Sequence, residues 1–392
     1  MKLPAGFRYA STYAGIRKVQ KDDLALIVSD APASAAGVFT QNRVAAAPVR
    51  LCQAHLKESG GVARAILINA GNANCATRTG AKVALASAKA AAKSQKIPVS
   101  QVLVASTGVI GVELDVKRIT GALPAVSAGL SPEKFEAVSQ AIMTTDTRPK
   151  TASAELSASG GVIRIAGMTK GAGMIMPMMA TTLGFVMTDA GIAPNRLRAM
   201  LREANEESFS RLSVDGDTST NDTLLVLANG ASGIKLASKD SDVFLGMLTK
   251  LLQDLAQQIA RDGEGATKLV TISVEGTKTR DEAARIARGI ANSPLVKTAI
   301  AGSDPNWGRI ICAAGNSGVA FDPAQVDIFM QGMRVCRGGL AAPFSEDKLK
   351  AKLDEKDVSI EFIIKGGGEG QTRFWTCDFT EDYIKINASY RT

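Results

Sequence analysis

The residues best suited to chemistry lie in the stretch Lys170-Gly-Ala-Gly-Met-Ile-Met-Pro-Met-Met-Ala-Thr-Thr-Leu183. Lys170 is its only charge, and an apolar run through Phe185 and Val186 follows. Gly171 and Gly173 allow backbone angles that a Cβ forbids, and Pro177 fixes its own φ. A glycine-bearing approach to a threonine at the head of a strand suits self-cleavage. The Thr181 hydroxyl would attack the Ala180 carbonyl and the ester would hydrolyse. Thr181 would then carry both a hydroxyl and a free α-amine, a nucleophile with its own base. An α-amine titrates near ~8, so much of it is unprotonated at neutral pH. Composition and spacing alone favour a plainer reading, a buried methionine-rich loop and strand.

The single histidine, His55, sits in Leu51-Cys-Gln-Ala-His-Leu56 and reads as a helix or turn residue. One histidine cannot build a His-rich zinc site. A Ser-His-Asp mechanism would have to use it, and no Gly-x-Ser-x-Gly elbow accompanies it. An acyl-transfer catalyst with this sequence needs another base, and the amine of Thr181 supplies one. No metal and no cofactor are expected.

Other polar clusters fall at the ends of expected elements. Gln101 to Ser106 reads as a strand running into Ser106-Thr-Gly-Val-Ile-Gly111, which by itself is only a strand–helix turn. Asn69-Ala-Gly-Asn-Ala-Asn-Cys-Ala76 reads equally as a tight turn or a loop supporting a site. Thr144-Thr-Asp-Thr147 follows a helix opened by Ser131-Pro132. Val214-Asp-Gly-Asp-Thr-Ser-Thr-Asn-Asp222 lacks the Glu that closes an EF-hand loop and reads as a polar turn. Asp262-Gly-Glu-Gly-Ala-Thr-Lys268 ends a long amphipathic helix, 242–261, and projects one carboxylate, Glu264. Strands are expected at 24–28, 65–69, 162–165, 224–227 and 269–274. Helices are expected at 81–96, 194–209 and 279–292. Gly302-Ser-Asp-Pro-Asn-Trp-Gly-Arg-Ile310 is distinctive, with no chemical role readable from it. From about residue 322 a small α/β unit is expected, and its Gly366-Gly-Gly turn lacks the Gly-Lys-Ser/Thr of a phosphate loop.

The order of residues in these stretches resembles the ornithine acetyltransferase (glutamate N-acetyltransferase) family of bifunctional arginine biosynthesis proteins. The resemblance runs through Lys-Gly-x-Gly-Met-Ile-x-Pro-x-Met-Ala-Thr-Thr-Leu, Ser-Thr-Gly-Val-Ile-Gly, Thr-Thr-Asp-Thr, the turn around Glu264 and the stretch 302–310. Met178 departs from it, standing where the family usually has Asn or Asp. The resemblance implies cleavage between Ala180 and Thr181, with Thr181 carrying the acetyl group. It implies an oxyanion hole of the Thr107 hydroxyl and the Gly108 N–H, consistent with a need for about two donors. It implies substrate contacts from Thr144, Lys170, Thr181, Glu264, Asn387 and Thr392.

The fold so implied is α/β: an αββα sandwich core of the N-terminal-nucleophile type, residues 1–285, with a smaller C-terminal α/β domain, 286–392. Cleavage would give chains 1–180 and 181–392, joined as a heterotetramer. The reaction would move acetyl from N2-acetylornithine to glutamate, with acetyl-CoA admitted as a second donor. The alternatives are an N-terminal-threonine aminopeptidase or amidase of related fold, and a non-cleaving binding homologue.

Composition agrees with an enzyme of small anionic substrates. The chain has 392 residues and a net charge of +8, yet its basic residues are scattered and aromatics are only 5%, so nucleic acid is not an expected partner. Five cysteines without a Cys-x-x-Cys pair read mostly as buried free thiols in a reducing compartment. No apolar N-terminal leader and no membrane-length run is found, which makes the cytoplasm the expectation.

Overall fold

The computed structural model describes residues 1–158, 160–176 and 182–389. It is mixed α/β with two sheets. The first sheet is built from β1 (Phe7–Thr12), β2 (Leu24–Phe39), β3 (Val62–Asn72), β4 (Val102–Val109), β5 (Lys150–Ala158), β6 (Gly161–Lys170), β7 (Leu183–Thr188) and β8 (Thr223–Ala228). Its order is β4-β3-β2-β8-β7-β6-β5, with β1 added to β2. The helices of this half are α1 (Ala47–Glu58), α2 (Gly80–Gln95), α3 (Val116–Ala128), α4 (Phe135–Ala141), α5 (Pro194–Glu206) and α6 (Ser241–Arg261).

Both faces of the sheet are covered, and the strands read accordingly. In β7, Phe185 and Met187 enter the core shared with α1–α4, while Val186 enters the core shared with α5 and α6. This is the period of two that sends successive side chains to opposite faces. The near-continuous apolar runs of β7 and β8 follow from burial on both sides.

The second sheet has the order β12-β11-β10-β13-β9-β14. Its strands are β9 (Leu269–Thr277), β10 (Val326–Met330), β11 (Met333–Arg337), β12 (Leu340–Ala341), β13 (Asp357–Ile364) and β14 (Gly370–Cys377). With them go α7 (Arg280–Ala291), α8 (Pro294–Ala301), α9 (Trp307–Gly315), α10 (Glu346–Leu353) and α11 (Glu381–Ser389). The sequence reading placed residue 269 onward in the core domain as far as 285. In the structure β9 pairs with β13 and β14, so the second sheet begins with β9. A capping box of Thr279 and Glu282 starts α7, a device worth about 1 kcal/mol.

Helix α6 belongs to both halves. Its Phe244, Leu248, Leu252 and Leu255 are fully buried, and the core they form includes Leu269 and Trp375 of the second sheet. Val243, counted as part of the apolar face from its spacing, is 56% exposed, and Phe244 takes the inward place. All five cysteines are free; Cys312 is exposed and the other four are buried. Among the described residues, no helix is long and apolar enough to cross a membrane.

Candidate active site

Strand β6 ends at Lys170 and β7 begins at Leu183, and these two residues are partners in the antiparallel β6–β7 ladder. The candidate cleavage segment is therefore the connection between two adjacent strands. Ala180, Thr181, Met178 and Pro177 lie outside the described residues, as does Thr392. Both ends of the connection are tied down. Thr182 donates its hydroxyl to the Lys170 carbonyl, shares a 2.6 Å hydrogen bond with the Thr169 hydroxyl, and accepts the Thr223 N–H at 2.8 Å through its own carbonyl. On the entering side, Asp215 accepts the N–H groups of Met174 (2.6 Å) and Ile175 (2.8 Å). Gly171 has φ +151°, the freedom expected of it, but the other left-handed residue here is Met174 (φ +56°) rather than Gly173. Gly173 is needed for space: a Cβ there would run into the Glu264 carboxylate.

A cavity of about 220 Å³ opens against this connection. Thr107, Gly108, Thr144, Lys170, Glu264 and Asn387 all line it, together with Thr182. Thr107 and Gly108 lie near the end of β4, where Gly108 (φ +130°) is the ladder partner of Gly71. Any side chain at Gly108 would collide with the Gly71 and Asn72 backbone. Lys170 donates to the Thr107 hydroxyl oxygen at 3.3 Å, which leaves the Thr107 hydrogen free to donate elsewhere. Glu264 stands on the turn after α6, whose N–H donates to the Ala172 carbonyl at 2.8 Å. The Asn387 amide of α11 donates to its carboxylate at 2.9 Å.

The two segments left open by sequence both border this cavity. Ala73 of the Asn69–Ala76 loop lines it, and left-handed Asn74 (φ +48°) and Ala76 (φ +53°) make the same loop a turn. Asn221 donates to the carbonyls of Ala73 (2.6 Å) and Ser106 (2.8 Å), joining that loop, β4 and the 214–222 turn. His55 is elsewhere: it is buried on α1 with Nδ1 2.7 Å from the Val102 carbonyl, and it does not line the cavity. A carbonyl only accepts, so Nδ1 carries a proton there.

The model of the ArgJ family matches residues 8–392. The chain belongs to the ArgJ family. An arginine biosynthesis bifunctional protein ArgJ of Thermus thermophilus is 46% identical over 393 residues, covering all of both chains. Its counterpart in Bradyrhizobium diazoefficiens is 45% identical over 401 residues, covering 100% of this chain and 96% of its own. Among solved structures, an arginine biosynthesis bifunctional protein argJ of Bacillus halodurans is 42% identical with a TM-score of 0.51, covering 53% of this chain and 98% of its own.

In this ArgJ-family chain the cavity wall holds more charge than the sequence disclosed. Behind it lies a buried ion cluster. Lys150 places its ammonium 2.6 Å from Asp146 and 2.5 Å from Asp262, with all three side chains at most 2% exposed. Asp146 also accepts the N–H of Gly171 (2.6 Å) and of Thr144 (2.9 Å). Asp262 accepts from the Thr147 hydroxyl and from its N–H at 3.1 Å. The cluster thus joins three walls of the cavity: the Thr144 loop, the exit of β6, and the turn that carries Glu264. Burial works to raise the Asp146 carboxyl, but the Lys170 and Lys150 ammonium groups and the hydrogen bonds from Lys150 and Gly171 outweigh it and hold it at about 2.

Burial lowers Lys170 and Lys150 adds to that, while Asp146, Asp222 and Glu264 oppose it. Burial raises Asp215 against the pull of its N–H donors. It raises Asp222 well above the usual carboxylate range, and one Asp222 oxygen is buried without a partner. Tyr383 of α11 is raised too, first by burial and then by the carboxylates around it, and donates to Asp215 at 3.4 Å. Asp146 and Asp215 stood inside motifs read as polar turns. Their side chains turn inward onto backbone N–H groups, which residue type does not show.

Proposed function

We propose that this chain is an arginine-biosynthetic acetyltransferase that moves acetyl from N2-acetylornithine to glutamate through an acetyl-Thr181 ester. What carries the reading is the meeting of Thr107, Gly108, Thr144, Lys170, Glu264 and Asn387, from well-separated segments, on one cavity whose wall also holds Thr182. The 45–46% identity to bifunctional arginine biosynthesis proteins supports it.

Self-cleavage at Ala180–Thr181 frees the Thr181 amine. The amine takes the proton of its own hydroxyl as that oxygen attacks the acetamide carbonyl. Charge builds on the carbonyl oxygen, and the Thr107 hydroxyl and Gly108 N–H receive it, worth about 3–4 kcal/mol per well-placed donor. Ornithine leaves with the proton, and glutamate then attacks the ester through its own amine. Lys170 is the one cation lining the cavity, and it takes the substrate carboxylate. The acidic side of the wall, Asp215, Asp217 and Glu264, suits a substrate that carries an ammonium group, as acetylornithine does at its side-chain end. Thr144, Asn387 and Thr392 complete the substrate contacts. Acetyl-CoA as a second donor, the pairing of cut chains into a heterotetramer, and a cytoplasmic location belong to the same proposal.

Isotope exchange tests it. Labelled ornithine should pass into acetylornithine in the absence of glutamate, because the acyl-enzyme forms and reverses. Release of acetate without exchange would instead make the protein an amidase.

A further inference from the structure

We infer that Asp146 is a positioning residue for the acetyl transfer: its carboxylate holds Lys170 as a charged ammonium, the form that takes a substrate carboxylate. The inference rests on the reading that Lys170 contacts that carboxylate.

Lys170 is only 8% exposed, and its ammonium bonds a neutral partner, the Thr107 hydroxyl. Burial without a counter-charge drives a lysine toward its neutral form. Four ionisable groups face it, each from a different segment: Asp146 from the loop before β5, Lys150 from β5, Asp222 from the turn before β8, and Glu264 from the turn after α6. Lys150 is of the wrong sign. Asp222 is itself pushed toward the neutral acid by burial. Glu264 is engaged by Asn387 and faces the substrate's ammonium in this reading. Asp146 remains. Its oxygens are fixed by Lys150, by the N–H of Thr144, and by the N–H of Gly171, the residue next to Lys170. The carboxylate therefore cannot swing away from the lysine.

The test is the pH dependence of KM for acetylornithine in fully cut enzyme, followed across about pH 6 to 9.5, a span that brackets the titrations of a perturbed lysine. KM rises where Lys170 loses its proton. In Asp146→Asn this rise should begin about 1–3 pH units lower than in the wild type, the usual effect of an opposite charge at close range. Asp146→Glu, which keeps the charge, should restore the wild-type midpoint. In Asp146→Asn combined with Lys170→Arg the rise should vanish, because a guanidinium stays charged throughout. A purely structural role for Asp146 would not be cured by arginine at position 170.

If Asp146→Asn is not obtained in cut form, Lys150→Met carries the same test with opposite sign. Removing the like charge should move the midpoint upward, and an unmoved or lowered midpoint overturns the inference. An acetylornithine whose carboxyl is an amide separates two failures. Equal KM for acid and amide in the wild type removes Lys170 as the carboxylate contact, and with it the underlying reading. A clear preference for the acid, with an unmoved midpoint in Asp146→Asn, removes only the role given to Asp146.

Discussion

Lys170 and Leu183 face each other across the β6–β7 ladder, so the candidate cleavage segment both leaves and re-enters the same sheet. A cut before Thr181 would put β6 on one piece and β7 on the other. The β2–β8 ladder also crosses the cut. The two pieces would then share one eight-stranded sheet and its two cores.

The first prediction concerns maturation. Purified protein should run as two pieces on a denaturing gel and as one species without denaturant, with the second piece beginning at Thr181. Thr181→Ala should leave a single chain. A cut at another bond, or a cut that survives the substitution, contradicts the assignment.

A second prediction addresses the oxyanion hole. Thr107→Ala should lower kcat by roughly 10²-fold or more, the scale for one lost donor. KM should move far less. The loss should exceed anything explained by folding, since Thr107 sits at the cavity wall rather than in the core. Gly108→Ala is different in kind. Its Cβ would meet the Gly71 and Asn72 backbone, so soluble protein should be lost along with activity.

The base gives the third. Reference pKa values are near ~7.7–8.0 for an α-amine and near ~6.5 for imidazole. His55 is engaged with the Val102 carbonyl, away from the cavity. Cut His55→Gln should keep the acid limb of kcat/KM and most of its activity. Loss of several orders of magnitude in a folded, cut, substrate-binding His55→Gln enzyme would remove the amine as sufficient base.

A fourth follows from the depressed Asp146 carboxyl, about 2 when folded against 3.8 for the model group. A carboxyl lowered on folding stabilises the native state above its unfolded pKa, and that contribution fades as pH falls through the folded value. Wild-type stability should therefore drop between about pH 4 and 2, by on the order of 2 kcal/mol from this group. Urea midpoints at both ends should show a smaller drop in Asp146→Asn; an equal drop in both proteins would show that Asp146 is not the source.

Much of the sheet framework was legible in the sequence because apolar periodicity carries it. The strands at Leu24, Ala65, Gln101, Val162, Leu224 and Leu269 all appear, mostly longer than expected, as backbone pairing extends them past their apolar centres. β5 was not read: its alternating Ser, Ala and Glu lack the apolar run, and pairing with β6 makes it a strand. Nor was α3, which runs through Pro124. The helix expected from Ser131-Pro132 to Met143 begins as a 3₁₀ turn at Pro132–Lys134 and is α-helical only over Phe135–Ala141.

The cavity residues were legible through family resemblance, not through spacing. Thr107, Lys170, Glu264 and Asn387 are far apart in sequence, and only topology brings them together. What stayed hidden was the support behind them. The pairing of Lys150 with Asp146 and Asp262 depends on three side chains turning inward, and a buried ion pair leaves no periodic mark. The stretch 302–310, distinctive in sequence, lies in the second half. Asn306 caps α9, and Arg309 reaches the Leu295 carbonyl at 2.8 Å.

The most direct measurement is intact and peptide mass spectrometry of the cut protein incubated with acetylornithine and no glutamate. The account predicts one added acetyl group on the piece that begins at Thr181, localised to Thr181 and discharged when glutamate is added. No adduct, an acetyl group on another residue, or an adduct that glutamate does not remove would contradict it.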